Sequence, residues 1–246
     1  MTIFDTHAGV GLYDLLGEEA RRTAESDAGI GRLLQRPESP ELADFLALVR
    51  GASLARGLPP GRLYPGSAEI IRQRLRPDDR LVAFELHRDD FRDLRRLMAG
   101  DARVACHCRD AYEGLPALTP PTPRRGLALI DPPFEQTDEF QRVLRCLKDV
   151  GKRWPVGVLA VWYPIKARPP VDAFLAELVR SGATGVLNVE LLWRPADDPA
   201  RLNGAGLAVV NAPFGLDDVV MPIVAAMADA LAADPGPSVR WLVPRP

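Results

Sequence analysis

The 246-residue sequence has no run of eighteen apolar residues, so it offers no candidate membrane span. Its start lacks the charged and apolar regions of a secretory signal. Cysteine is scarce: Cys106, Cys108 and Cys146 form an odd set without paired metal spacing. That usage points to a reducing compartment, with the cytoplasm as the default, and away from a disulfide scaffold. Cys106-His107-Cys108 falls on an expected strand, where side chains alternate faces and cannot all reach one ion. No metal is expected. An excess of positive charge is also missing, since the formal net charge is −2. Nucleic-acid contact would therefore have to come from local patches. The candidates are Arg72, Arg74 and Arg76, then Arg92, Arg95 and Arg96, then Arg124 and Arg125; each also reads as a solvated helix face or turn, except Arg124-Arg125, which leads into the strand at Gly126–Ile130. Internal repeats are absent.

What is present is alternation. With 47% apolar composition, the length suits one α/β domain spanning residues 1–246. Strands are expected at Thr2–Asp5, Arg80–Glu85, Arg103–His107, Gly126–Ile130, Gly157–Trp162, Gly185–Leu192, Leu207–Asn211 and Val239–Val243. Helical patterns fall at Ser67–Leu75, Asp89–Ala99, Thr137–Val150, Val171–Arg180 and Asp217–Ala233. Such alternation predicts a doubly wound, mostly parallel sheet, with the last two strands antiparallel at a mixed edge. One segment breaks the rhythm. Residues 12–62 are too long for a βα loop and carry two amphipathic patterns, Glu18–Gln35 and Glu41–Arg56. They predict a small helical insertion above the ligand edge of the sheet, a place where insertions often touch substrate.

The most informative stretch is LALIDPPF, residues 127–134. An apolar run suited to a buried parallel strand stops at Asp131. Two prolines cannot continue a ladder, because neither has an N–H to donate. The corner leaves a carboxylate, the Pro132 carbonyl and the ring of Phe134 beyond a strand's carboxyl end, where open α/β sheets bind ligands. Methylation of an exocyclic amine needs those groups. Asp131 and the Pro132 carbonyl can each accept one N–H bond and so aim the nitrogen lone pair. The carboxylate stabilises charge developing on nitrogen, and an ordinary aspartate with a pKa of about 3.9 is expected to suffice. Phe134 would stack on a base swung out of its helix. A weaker rival is Asn211-Ala212-Pro213-Phe214, which has an amide and lacks the double proline.

Acids also close other strands. Asp5-Thr6-His7-Ala8-Gly9-Val10-Gly11 follows the first strand, and its small residues let backbone approach a ligand. Glu85 ends the second strand, where a carboxylate can accept ribose hydroxyls. Asp110 and Ala111 follow the third, and can meet an adenine amino group and a ring nitrogen. His7 sits beside the glycine turn, either touching the ligand or bracing the loop. Glu85 serves NAD and S-adenosylmethionine alike. The second is favoured, because DPPF has no task in hydride transfer and the full GxGxxG cradle is lacking.

Taken together, DTHAGVG, YPGS at Tyr64–Ser67, FELH at Phe84–His87, RDAYEG at Arg109–Gly114, RRGLALIDPPF and VWYP at Val161–Pro164 resemble the RlmJ-type 23S rRNA adenine-N6 methyltransferases over nearly the whole chain. The resemblance implies a class I methyltransferase fold with S-adenosylmethionine as donor. By motif, His7, Gly9, Ser67, Glu85, Asp110, Ala111 and Asp131 would line the donor site, with Asp131 also the proton acceptor. It implies 23S rRNA as partner, naked or as an early precursor, and a cytoplasmic monomer with neither metal nor membrane. Two departures stand out. Family members usually have tyrosine where this chain has Phe134. A segment that precedes the first strand in the family would supply basic and histidine contacts, and here Met1 adjoins that strand; weaker donor and RNA engagement is the expectation. DNA adenine methylation, or rRNA binding without catalysis, are the alternative readings, and a major-groove motif for the former is lacking.

Overall fold

Eight apolar segments hydrogen-bond into one sheet in the computed structural model, which describes residues 1–17, 29–36 and 39–245. In chain order the strands are β1 (Thr2–Asp5), β4 (Arg80–Phe84), β5 (Val104–His107), β6 (Gly126–Ile130), β7 (Val158–Ile165), β8 (Val186–Leu192), β9 (Gly204–Val210) and β10 (Gly236–Val243). A separate two-stranded ribbon pairs β2 (Leu12–Asp14) with β3 (Leu63–Pro65). The described helices are α1 (Ile30–Gln35), α2 (Pro40–Leu54), α3 (Ser67–Arg74), α4 (Arg88–Leu97), α5 (Ala111–Leu118), α6 (Glu139–Arg153), α7 (Arg168–Arg180) and α8 (Leu216–Leu231). None of them is long and apolar enough to cross a membrane.

The order across the sheet is β10-β8-β9-β7-β6-β1-β4-β5. Pairings β1–β4, β4–β5, β1–β6 and β6–β7 are parallel. From β1 the chain works outward through β4 and β5, then returns to lay β6 on the other side of β1. The sheet therefore switches direction of winding between β1 and β6, and ligands of open α/β sheets bind outside the carboxyl ends at such a switch. Beyond β7 the sheet becomes mixed: β9 runs antiparallel between β7 and β8, and β10 runs antiparallel to β8. The last two strands are thus both reversed, but neither pairs with the other.

Alternation along β6 shows why both faces are covered. Ala128 and Ile130 point into a core with Leu115 of α5, Val143 and Leu147 of α6 and Phe174 of α7. Leu127 and Leu129 point to the opposite face, where Val224 of α8 packs against them. Helices α3 and α4 extend that second layer through Ala68 and Leu94. A period of two on a strand buried on both sides produces this division.

Two features were not anticipated. The β2–β3 ribbon has only three residues per strand, and α5 contains Pro116 and Gly114, both poor helix formers. The insertion packs on α8. Of the Glu18–Gln35 pattern, residues 18–28 lie outside the described residues, and the remainder contributes α1. Helices α1 and α2 bury Leu33, Leu42 and Leu46 against Ala230 of α8. Arg32 and Arg36 donate to the Leu231 and Asp229 carbonyls near the end of that helix. No residue of α1 or α2 lines the acidic cleft described below.

Trp154, just after α6, locks the base of the central strands. Its ring is fully buried, lies edge-on to Phe4 at 5.9 Å, and its Nε1 donates to the Arg124 carbonyl at 2.7 Å. Gly126 and Gly157 border the ring so closely that a side chain at either would meet it. Trp154→Ala should destabilise the protein by about 3–5 kcal/mol, read from the urea midpoint at constant slope, with the lost hydrogen bond included. A loss under about 1 kcal/mol would mean that the ring is not a keystone of packing.

Candidate active site

The carboxyl ends of β1, β4 and β6 gather three acids around one cleft. Asp5, the last residue of β1, is fully buried. Ser67 Oγ, at the start of α3, donates to its Oδ2 at 2.7 Å, while Oδ1 has no hydrogen-bond partner. Burial pushes its pKa up to about 7; the Ser67 hydrogen bond opposes the rise, and the charges of Asp131 and Glu85 add to it. Asp131 follows β6 directly. Here the expectation of an ordinary aspartate is corrected: burial beside the covered Pro132 raises its pKa to about 6. The shift arises from three-dimensional packing, which composition does not reveal.

Glu85 is already engaged by backbone. Its Oε2 accepts from Gly9 N at 2.9 Å and its Oε1 from His87 N at 2.7 Å. It thereby ties the turn after β1 to the turn after β4. Gly9 has φ of +57°, and a side chain there would strike the Tyr13 hydroxyl. The left-handed backbone and the close Tyr13 side chain favour glycine here. Tyr13, on β2, has its pKa pushed up to about 12 by burial and by the surrounding Glu85, Asp5, Asp90 and Asp131.

On the far side stands a second group. Asp110 caps α5, accepting from Tyr112 N at 2.8 Å, and its other oxygen meets Arg142 Nη2 at 3.1 Å. The Arg142 guanidinium lies over the Tyr112 ring at 4.5 Å, and the Tyr112 hydroxyl donates to Glu139 Oε1 at 2.7 Å. His7 turns its ring edge to Tyr112 at 5.6 Å and shares a 2.7 Å hydrogen bond between Nδ1 and Thr6 Oγ1. Burial lowers its pKa to about 4, with Asp110 opposing and Arg142 reinforcing, so the imidazole is neutral near pH 7.

The cleft between these groups has a volume of about 1020 Å³. His7, Gly9, Glu85, Asp110, Ala111, Asp131 and Pro132 line it. Ser67 does not; it acts from below, on Asp5. Phe134 does not line it either. Its backbone is in the left-handed region, φ 53°, and its ring packs on Phe140 at 4.9 Å and Trp162 at 6.2 Å. The free stacking face expected of Phe134 is therefore partly spent on its neighbours, and Trp162 presents to the cleft instead. Trp162, Tyr112, Glu139 and Arg142 escaped the sequence reading. The first two lie inside motifs already noticed; the other two look like ordinary helix surface.

Strand direction disposes of the rival turn. Asn211 ends β9, which runs antiparallel to β7, so its turn lies at the opposite edge of the sheet from Asp131. Asn211 Nδ2 donates to the Pro155 and Gly157 carbonyls, and Phe214 is 93% exposed. Half of the candidate basic residues are in ion pairs: Arg72 pairs with Glu69, Arg74 with Asp44, Arg92 with Asp89 and Arg96 with Asp93. Arg88 and Arg109 line the cleft mouth, are exposed, and make no ion pair among the described residues.

With this geometry established, residues 1–243 match the family model described as Ribosomal RNA large subunit methyltransferase D, RlmJ. The chain belongs to the RlmJ family. Two curated relatives named Ribosomal RNA large subunit methyltransferase J agree with this. The one from Haemophilus influenzae is 33% identical and the one from Escherichia coli K12 is 35% identical, each over 98% of this chain and 86% of the relative. A crystal structure of a protein from Legionella pneumophila str. Philadelphia 1 superposes with a TM-score of 0.86 at 25% identity, covering 97% of this chain and 86% of that one. This RlmJ-family protein is thus a methyltransferase with the class I, Rossmann-like fold, and its donor is S-adenosylmethionine. The cleft fits that donor: acids surround the place for a cation, and Gly9 lets backbone come close.

The raised pKa of Asp5 gives a stability signature. Its folded value of about 7 exceeds the ordinary 3.8, so the native state holds the extra proton. That contribution is fully present below about pH 4 and is lost as pH rises through about 7. Between about pH 5 and about pH 8 the wild-type urea midpoint should fall, and Asp5→Asn should fall less. Equal slopes in the two proteins would remove Asp5 as the cause.

Proposed function

We propose that the cleft transfers a methyl group to the N6 amino nitrogen of an adenine in 23S ribosomal RNA. The observation that carries this reading is the placement of the Asp131-Pro132 corner on the same cleft as Glu85 and Asp110. A donor held by the strand ends would then face an amine held by the corner. In this reading Glu85 accepts the ribose hydroxyls, sharing them with its two backbone donors. Asp110 accepts the donor's adenine amino group, and the Ala111 N–H meets a ring nitrogen. His7 and Gly9 line the segment between ribose and sulfonium, and Ser67 keeps Asp5 in place beneath it.

The amino nitrogen of adenine is a poor nucleophile, because its lone pair is delocalised into the ring. Asp131 Oδ and the Pro132 carbonyl each accept one of its N–H bonds and turn the lone pair toward the methyl group. As the N–C bond forms and the C–S bond breaks, positive charge builds on nitrogen and the carboxylate stabilises it. A carboxyl of pKa about 6 is mostly ionised at neutral pH and is a better proton acceptor than an ordinary aspartate. Trp162 is the aromatic wall against which the extruded base rests, with Phe134 packed against it from behind. The substrate is naked or early precursor rRNA, the enzyme acts as a monomer in the cytoplasm, and Arg88 and Arg109 meet phosphates at the cleft mouth.

Asp131→Ala should abolish transfer of tritiated methyl from donor to total rRNA while leaving donor affinity within a few-fold; retained turnover would refute the assignment. Glu85→Ala should weaken donor binding in calorimetry by about tenfold or more, and an unchanged dissociation constant would take it out of the site. Replacing both Arg88 and Arg109 by Ala should flatten the dependence of log affinity for RNA on log salt by roughly 0.7 per arginine. An unaltered slope would place the phosphates elsewhere.

A further inference from the structure

A closed circuit of four side chains stands at the β5 end of the cleft. Asp110 accepts from Tyr112 N at 2.8 Å on one oxygen and from Arg142 Nη2 at 3.1 Å on the other. The second branch of the Arg142 guanidinium lies 3.5 Å from Glu139 Oε1, and that same oxygen accepts the Tyr112 hydroxyl at 2.7 Å. Tyr112 closes the ring, since its aromatic face lies under Arg142 at 4.5 Å. Glu139 is only 3% exposed, and these two partners hold its Oε1.

We infer that Arg142 is a positioning residue of the donor site, which fixes the Asp110 carboxylate toward the donor's adenine amino group. The inference rests on the reading of the cleft given above. Capping α5 holds one oxygen of Asp110 but leaves the plane of the carboxyl free to rock about that bond. Arg142 fixes the second oxygen and removes that freedom. A carboxylate has about four acceptor positions, and the cap and the guanidinium use two of them. The others remain for an amino group entering from the cleft, which Asp110, Tyr112 and Arg142 all line. The remaining contacts hold Arg142 itself: Glu139 from its own helix one turn back, and the Tyr112 face beneath it. Arginine keeps its charge at every physiological pH and spans two carboxylates at once. A lysine in its place makes one contact as a point charge and loses the planar stack.

Location separates this role from methyl transfer. Across the sheet β5 is three strands from β6, so Asp110 stands roughly 14 Å from the Asp131 corner at the usual strand spacing. Arg142 nevertheless belongs to α6, the helix that follows that corner. From there its side chain meets Asp110, at the β5 end of the cleft.

The test is calorimetric titration of two donor products into the full chain: S-adenosylhomocysteine, and its inosine analogue, in which an oxo group replaces the adenine amino group. Arg142→Ala should weaken the adenosine product about tenfold and the inosine analogue much less, so that discrimination between the two shrinks. Arg142→Lys should recover part of the loss. Added to Asp110→Ala, Arg142→Ala should cost less than about twofold more, because the two act as one unit. An Arg142→Ala affinity within about twofold of wild type, equal weakening of both ligands, or full additivity with Asp110→Ala would each overturn the inference. Should Arg142→Ala fail to fold by thermal melting, Arg142→Lys and Arg142→Gln carry the same comparison, and unchanged discrimination in both would overturn it. If Glu85→Ala weakens product binding while the Arg142 variants do not, the inference falls and the reading of the cleft stands. A wild-type protein that binds neither product would sink both.

Discussion

The placement of β6 beside β1 is the constraint on which this site depends. Two parallel strands that wind in opposite directions leave their carboxyl ends side by side, and here each is followed at once by buried carboxylate chemistry. Asp131 stands close enough to Asp5 to raise its cost of ionisation, and burial raises that of both. Such a pair is expensive in isolation. Ser67 and the backbone near His7 offset part of that cost, and the rest remains as two proton affinities far above those of free aspartate. The fold keeps these groups because Trp154 and the two glycines beneath it fix the base of the same strands.

Much of this was legible in the residues. Apolar runs that stop abruptly at an acid marked the ends of β1, β4 and β6 to within a residue, because a buried carboxylate is costly and these acids stand where the strands give way to the cleft. The acids then fell in order around the cleft. The double proline was legible for the same kind of reason: it can only end a ladder. Other features needed the third dimension. Three-residue strands carry too little pattern to be seen, so the β2–β3 ribbon was invisible, and with it the approach of Tyr13 to Gly9. Helix α5 was hidden by Pro116, which the tight packing of its neighbours tolerates. The site of α1 and α2 depends on Ala230, far along the chain, with which no local periodicity connects them.

Two look-alike turns show how direction gives a motif its meaning. Asp131-Pro132-Pro133-Phe134 and Asn211-Ala212-Pro213-Phe214 both follow an apolar strand and both end in phenylalanine. One strand runs with its neighbours and the other against them. The first turn opens on the ligand edge. The second stitches the opposite edge together through Asn211 and leaves its ring in solvent. Likewise Arg142 reads as one more cation on a polar helix until the packing of α6 beside α5 brings it to Asp110.

The gathered acids also bear on what happens after the reaction. S-adenosylmethionine carries a positive sulfur, whereas its spent form is a neutral thioether. In the proposed arrangement Glu85 and Asp131 would attract the first through charge and gain nothing comparable from the second. With the donor seated as proposed, the groups that make the cleft costly to build would favour exchange of the spent molecule for a fresh one.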